Sequence, residues 1–157
     1  MASRAEQPLR PLVKSAQAEA QALGAKAIEA EHLLLALAAQ PDTAAGSTLQ
    51  QVGLSHDRLV RLLDDERARS LAFVGIDTAA LELPVAPKTR GRLPLATSSK
   101  QALARVVANA GRRRDKLTTT ELLRAVVSVE AGTVTRLLAL AGTDRADLAA
   151  RLEGRRS

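Results

Sequence analysis

Ile28-Glu29-Ala30-Glu31-His32-Leu33-Leu34-Leu35-Ala36-Leu37 is the stretch on which the reading of this chain turns. Leucine and alanine are the best helix formers, so the stretch predicts a helix over roughly Ala30 to Ala39. The leucines cover most sides of that helix, so it is expected to be central rather than amphipathic. Pro41 ends it. A second stretch, Thr119-Thr120-Glu121-Leu122-Leu123-Arg124-Ala125-Val126-Val127, stands 89 residues further on. The shift pairs Leu33 with Leu122, Leu34 with Leu123 and Ala36 with Ala125. Without a gap it then pairs Leu49 with Leu138, Gly53 with Gly142, Leu59 with Leu148 and Leu63 with Leu152. A register of core leucines and helix-stopping glycines held this long is an internal duplication.

Working outward, each half reads as four helices. In the first, Leu9, Leu12, Val13, Ala16, Ala20 and Leu23 recur at three- and four-residue spacing from about Pro8 to Leu23, with Gly24 closing the helix. They pair with the second half at a shift of 90, Val13 with Leu103, Ala16 with Val106 and Ala20 with Ala110. After the central helix, Asp42 is the expected cap of a short helix that turns Leu49 and Val52 inward and stops at Gly53. Ser55 caps a fourth helix, carrying Leu59, Val60, Leu62 and Leu63 and expected to end near Arg69. In the second half, Leu103, Val106, Val107 and Ala110 form one face before Gly111. Thr118 or Thr119 caps the central helix, and Val134, Leu137, Leu138 and Ala141 lead to Gly142. Thr143 or Asp144 caps the last helix, with Leu148 and Leu152 inside and Asp147 as the acidic partner of a capping box.

The fold class is therefore all-α, two tandem four-helix repeats packed as one pseudo-two-fold domain. Residues 1–157 form a single domain, with repeat one at 8–69, a linker at 70–95 and repeat two at 96–153. Pro84, Pro87 and Pro94 break the linker's periodicity, leaving room for one helical turn around Asp77 to Leu81. Phe73, the only aromatic residue of the chain, falls in that linker and is expected to anchor it to the core.

Composition narrows the function. With no Cys, Trp or Tyr, the chain has no disulfide and no thiolate metal site. No apolar run approaches the ~20 residues that span a bilayer. No hydrophobic signal segment begins the chain, and a cytoplasmic location is expected. The net charge of +6 admits an acidic partner, and a basic nucleic-acid-associated regulator is the alternative reading. Aromatic residues for stacking on bases are missing, which counts against it. Arg112, Arg113 and Arg114 are expected to cover a helix C-terminus, and Arg155 and Arg156 to form a solvated tail. The two histidines, His32 and His56, belong to no metal-spaced cluster. His32 is expected to hydrogen-bond at a helix start and His56 to be exposed. Glu29 and Glu31 are expected on different helix faces, which makes a poor acid–base pair. No nucleophile–base arrangement is legible, so no enzyme and no cofactor are expected.

Leu23-Gly24 with Ile28, Glu31, His32 and the three leucines resembles the signature of the Clp N-terminal repeat domain, in which a threonine, a glutamate and a histidine precede the leucines. Ala25, Glu29, Ala30 and Ala36 depart from that signature. The resemblance implies a duplicated four-helix domain that docks substrates and adaptors ahead of Clp ATPase modules. The sequence has no G-x-x-x-x-G-K-[ST] phosphate loop, so it reads as a stand-alone domain. Met1 and the tail from Gly154 to Ser157 are what a complete short protein would show. By resemblance, the binding residues are Glu31 and His32 in the first repeat and Thr120 and Glu121 in the second. Some family members hold phosphoarginine with the motif glutamate and a threonine at the start of each repeat's first helix. Here the threonine positions hold Glu6 and Ala96, and Thr120 replaces the second glutamate, so the phosphoarginine pocket is incomplete in both copies. The implied partners are proteins, namely a Clp ATPase, its adaptors or its substrates. The implied role is that of adaptor, regulator or decoy.

Overall fold

A computed structural model describes residues 9–75, 88–113, 115, 117–129 and 131–154. Among them are eight helices: α1 Leu9–Ala22, α2 Ala30–Ala38, α3 Ala44–Gln51, α4 His56–Phe73, α5 Thr97–Ala110, α6 Thr119–Val127, α7 Thr133–Ala141 and α8 Arg145–Gly154. No strand occurs among the described residues, only an isolated bridge between Ile28 and Leu95. None of these helices is long and apolar enough to cross a membrane. The turn expected over Asp77 to Leu81, together with Glu6, Arg114, Arg155 and Arg156, lies outside the described residues.

The duplication governs burial as well as sequence. Leu33, Leu34, Leu49 and Leu59 are buried, as are Leu122, Leu123, Leu138 and Leu148 at a shift of 89. Leu12, Ala16 and Ala20 of α1 are buried, and so are Ala102, Val106 and Ala110 of α5 at a shift of 90. Gly53 and Gly142 both adopt left-handed backbone, at φ 79° and 71°, and carry each short helix into the next. Each final helix has an equivalent cap: Ser55 accepts from the Arg58 N–H, and Asp144 from the Ala146 N–H at 2.9 Å.

The two repeats share one core. α2 packs on α1, α3 and α4 of its own repeat and on α5, α6 and α7 of the other. α6 contacts α1, α2 and α3 across the boundary, while α4 meets α7 and α3 meets α8. Exchanging the repeats maps α2–α6 onto itself and each of the other cross-boundary pairings onto another of the set, as a pseudo-two-fold relation requires. Leu33, Leu34, Leu35 and Leu37 of α2 are all among the fully buried side chains, as expected of a central helix.

Several local expectations are corrected. Thr43, not Asp42, caps α3, accepting the Gly46 N–H at 3.0 Å. Of the two caps expected for α6, Thr118 serves, accepting from the Glu121 N–H. α4 runs four residues past Arg69 to Phe73, so Phe73 ends a helix and is 91% exposed instead of anchoring a linker. Val107 is exposed on α5, because the buried stripe of that helix follows Ser99, Ala102, Val106 and Ala110. His56 is only half exposed, since its Nε2 lies 2.8 Å from a Glu19 carboxylate oxygen on α1.

Candidate functional site

The N-terminus of α2 is built from both repeats. Ile28 donates its N–H to the Pro94 carbonyl at 2.8 Å, and Ala96 donates to the Ile28 carbonyl at 2.9 Å. One residue into α5, Ser98 Oγ accepts the Ala30 N–H at 2.9 Å and donates to Glu29 Oε2 at 2.5 Å. Ser99 Oγ donates to the Ile28 carbonyl. One of the free N–H groups that every helix start presents, that of Ala30, is thereby satisfied by a partner from the other repeat. His32 completes the cap, its Nδ1 accepting the Glu29 N–H at 2.8 Å.

Beside this helix start lies a cleft of about 850 Å³, walled by α4 and closed by the first turn of α7. Leu23, Val60, Leu63 and Leu71 supply apolar surface; Glu29, Glu31, Asp64, Asp65 and Glu66 supply carboxylates. Arg136 of α7 crosses from repeat two, its Nε donating to Glu66 Oε1 at 2.6 Å. Ser70 donates to the same oxygen at 2.6 Å. Toward the end of α4 the cleft continues into a groove floored by Phe73, Ala139 and Leu140, the two sharing Glu66, Ser70 and Arg136. The result is one channel between the repeats, apolar along its walls and polar at its middle.

Three titratable groups here are displaced from their ordinary values. Burial pushes the Glu31 carboxyl up; the charges of Glu29 and Glu66 push it further, against its own backbone hydrogen bond and Arg136. Burial also opposes ionisation of Glu66, but the hydrogen bonds from Ser70 and Arg136 and the Arg136 charge outweigh it, and its pKa lies low. Burial lowers the pKa of His32 against the pull of Glu29 and Glu19. Glu29 and Glu31 thus share a cleft, where the Glu29 charge acts on Glu31, contrary to their expected separation. The reason is that Glu29 stands outside the helix, at the cap, with extended backbone.

The His32 geometry carries a pH prediction. Its Nδ1 accepts a hydrogen bond, so the neutral ring carries its proton on Nε2; a second proton must go to Nδ1, which breaks that bond, and burial opposes the charge. A folded-state pKa below the ordinary histidine value of 6.5 means that the unfolded chain binds the proton first as pH falls. The contribution is fully present above that value and is lost as pH drops below it. His32→Gln keeps an acceptor for the Glu29 N–H and removes the titration. Urea unfolding from pH 7.5 to 5.5 is expected to show wild type losing stability relative to His32→Gln. Parallel pH curves would exclude the effect.

Of the four residues expected from sequence, Glu31 and His32 line the cleft, whereas Thr120 and Glu121 do not. Thr120 and Glu121 are buried in the first turn of α6, and the hydroxyls of Thr119 and Thr120 find no hydrogen-bond partner. Ala96 stands at the helix start of the opposite repeat, bonded to Ile28. The repeats therefore differ: the described part of α8 stops at Gly154, the counterpart of Asp65, while α4 continues to Phe73 and forms the channel wall. Glu66, Ser70 and Arg136 were not singled out from the sequence. A signal existed for Glu66, which falls four residues after Leu62 and seven after Leu59, a charge on the buried stripe of its helix. Arg136 carried none, because its importance comes from the other repeat. No group of residues able to hold a metal ion occurs among the described residues.

The chain matches the model of the Clp repeat (R) N-terminal domain over residues 4–138. Its structure is similar to the crystal structure of the N-terminal domain of the caseinolytic protease associated chaperone ClpD from Arabidopsis thaliana, with a TM-score of 0.61. That likeness covers 99% of this chain and 93% of the other at 19% sequence identity, so it speaks to the fold. No curated protein sequence matches the chain.

Proposed function

Since the chain belongs to the Clp repeat N-terminal domain family, we infer that it is a protein-binding module that handles ligands of a Clp machine through the channel between its repeats. The observation that carries this reading is the channel itself, with apolar walls from Val60, Leu63 and Leu71 and a polar centre of Glu31, Glu66 and Arg136. Apolar walls accept side chains of an unfolded or extended polypeptide, and a few fixed polar groups orient it. The family glutamate, Glu31, stands in the channel at the start of α2, where no equivalent carboxylate stands at the start of α6. Binding is therefore assigned to the first-repeat side, with residues 1–157 acting as one domain.

In this reading the protein is an adaptor, regulator or decoy in Clp substrate handling and carries out no chemistry of its own. Phosphoarginine is not the assigned ligand, because Glu6 stands at the family's threonine position in the first repeat, and in the second Ala96 has no hydroxyl and Thr120 no carboxylate. Pulldown against the host's Clp ATPase, its adaptors and its unfolded clients tests the reading, and retention of none of them rejects it. Arg136→Glu removes the cation paired with Glu66 and sets a second carboxylate against it, with the Arg136 side chain 55% exposed and free to be replaced without a core cavity. It is expected to weaken the captured interaction about tenfold, or ~1.4 kcal/mol, while the exposed substitution Arg151→Glu leaves it unchanged. Equal binding by wild type and Arg136→Glu would move the site elsewhere.

A further inference from the structure

On a different surface, the segment leading into α5 is fastened along α1. Gln21 Nε2 donates to the Gly91 carbonyl at 2.6 Å, and Thr89 donates its N–H to the Gln21 carbonyl at 3.1 Å. Thr89 Oγ1 donates to the Ala25 carbonyl at 2.9 Å, and the Leu93 N–H to Gln17 Oε1 at 3.1 Å. Four hydrogen bonds, three to α1 and one to the turn that follows it, hold residues 89–93 and fix what the segment displays. It displays Lys88, Arg90 and Arg92, all exposed. From α1, Arg10 and Lys14 lie one turn apart on the same helix face and are exposed too.

Arg10, Lys14 and Arg92 line a common cleft of about 710 Å³ with Gln17, over a floor that includes Leu9 and Val13. Among the described residues no carboxylate lines it. None of these five cations takes part in any of the ion pairs among the described residues. Elsewhere the protein does pair its arginines, with Asp115, Glu153, Glu66 and Asp147. These five cations have no counter-charge among the described residues, and three of them surround a concave surface. An anionic ligand would supply one.

We propose that this groove, formed by α1 and residues 88–93, is a docking surface for an acidic polypeptide segment of a partner protein, separate from the channel between the repeats. Two observations favour a polypeptide over nucleic acid. The floor provided by Leu9 and Val13 is half-buried and apolar, matching aliphatic side chains interspersed with carboxylates. The chain's only aromatic residue, Phe73, is on α4, so the groove offers bases nothing to stack on. Carboxylates of the partner would approach Arg10, Lys14 and Arg92, and complementary charge would speed the encounter and set its register.

The test uses the whole chain and two fluorescent probes of about twelve units, a peptide in which leucines interrupt glutamates and a single-stranded oligothymidylate. Anisotropy at low salt is expected to show peptide binding stronger than oligonucleotide binding and weakening as salt is added. The triple variant Arg10→Glu, Lys14→Glu, Arg92→Glu is expected to lose peptide affinity by a factor of at least about ten. A second triple variant, Arg105→Glu, Arg113→Glu, Arg151→Glu, makes the same change in net charge at exposed sites outside the groove and is expected to lose far less. Circular dichroism checks that both remain helical. Equal losses in the two variants would reduce the effect to net charge and overturn the proposal. So would absence of peptide binding, or tighter binding of the oligonucleotide than of the peptide. Channel binding by Arg136→Glu is read separately, so neither result decides the other.

Discussion

Gly46→Ala is expected to destabilise the protein by about 3 kcal/mol, where the same exchange inside an ordinary helix stabilises by about 1 kcal/mol. The reversal comes from how closely α3 crosses the end of α2. A Cβ at position 46 would stand 1.9 Å from the Gln40 carbonyl oxygen, 2.6 Å from its carbon and 2.9 Å from the Leu37 carbonyl oxygen. All three are backbone atoms, so no side chain can swing aside and the helices themselves must part. The second repeat meets the same crossing differently. Thr135 stands at the position equivalent to Gly46, and its Oγ1 donates to the Val129 carbonyl, the counterpart of Gln40, at 2.8 Å. One copy has no side chain where the carbonyl approaches; the other uses a hydroxyl to bond to it. Thr135→Ala, which removes that single hydrogen bond, is expected to cost only about 1 kcal/mol. Urea unfolding of the two variants checks the pair, and a Gly46→Ala protein as stable as wild type would refute the close crossing.

The second large effect concerns the halves. A fragment containing residues 9–75 alone is expected to show little helicity and no cooperative unfolding transition. α2 is nine residues long, too short to be helical in water without packing. Its leucines are shielded on one side by α5, α6 and α7, all of which the fragment lacks. The start of α2 would lose Ser98, Ser99 and Pro94 together, leaving the Ile28 and Ala30 N–H groups and the Ile28 carbonyl without their present partners. The complementary fragment, residues 88–154, retains those groups but loses α2 from its own core. Mixing the two is expected to restore helicity by far-UV circular dichroism, because the interface between them is the core itself. A sharp melt of residues 9–75 alone would show that the repeats are independent units.

How much of this was legible follows from the kind of interaction involved. The eight helices and the duplication were readable because leucine periodicity and helix-ending glycines act locally, and the same register appears twice. Helix ends were less so. Asp42 and Thr43 are adjacent and both competent to cap, and only the path of the chain decides that Thr43 bonds to Gly46. α4 outran its expected end because its last residues, Ala72 and Phe73, need no buried face to continue a helix already formed. Half of the candidate site was readable in the same way. Glu31 and His32 belong to a contiguous motif, whereas Arg136 reaches Glu66 from a position 70 residues away, and no local pattern encodes that meeting. The tight crossing at Gly46 was invisible for a related reason: a glycine in a helix reads as a weakness until the helix it touches is known.

The central claim, that ligands of a Clp machine are held in the channel between the repeats, is met most directly by amide correlation spectra of the labelled chain. The spectra would be recorded as an unfolded client of the host's Clp ATPase is added. Shifts concentrated at Glu31, Glu66, Ser70 and Arg136, with Thr120 and Glu121 unmoved, are the predicted result; an unchanged spectrum, or shifts confined to the start of α6, would contradict it.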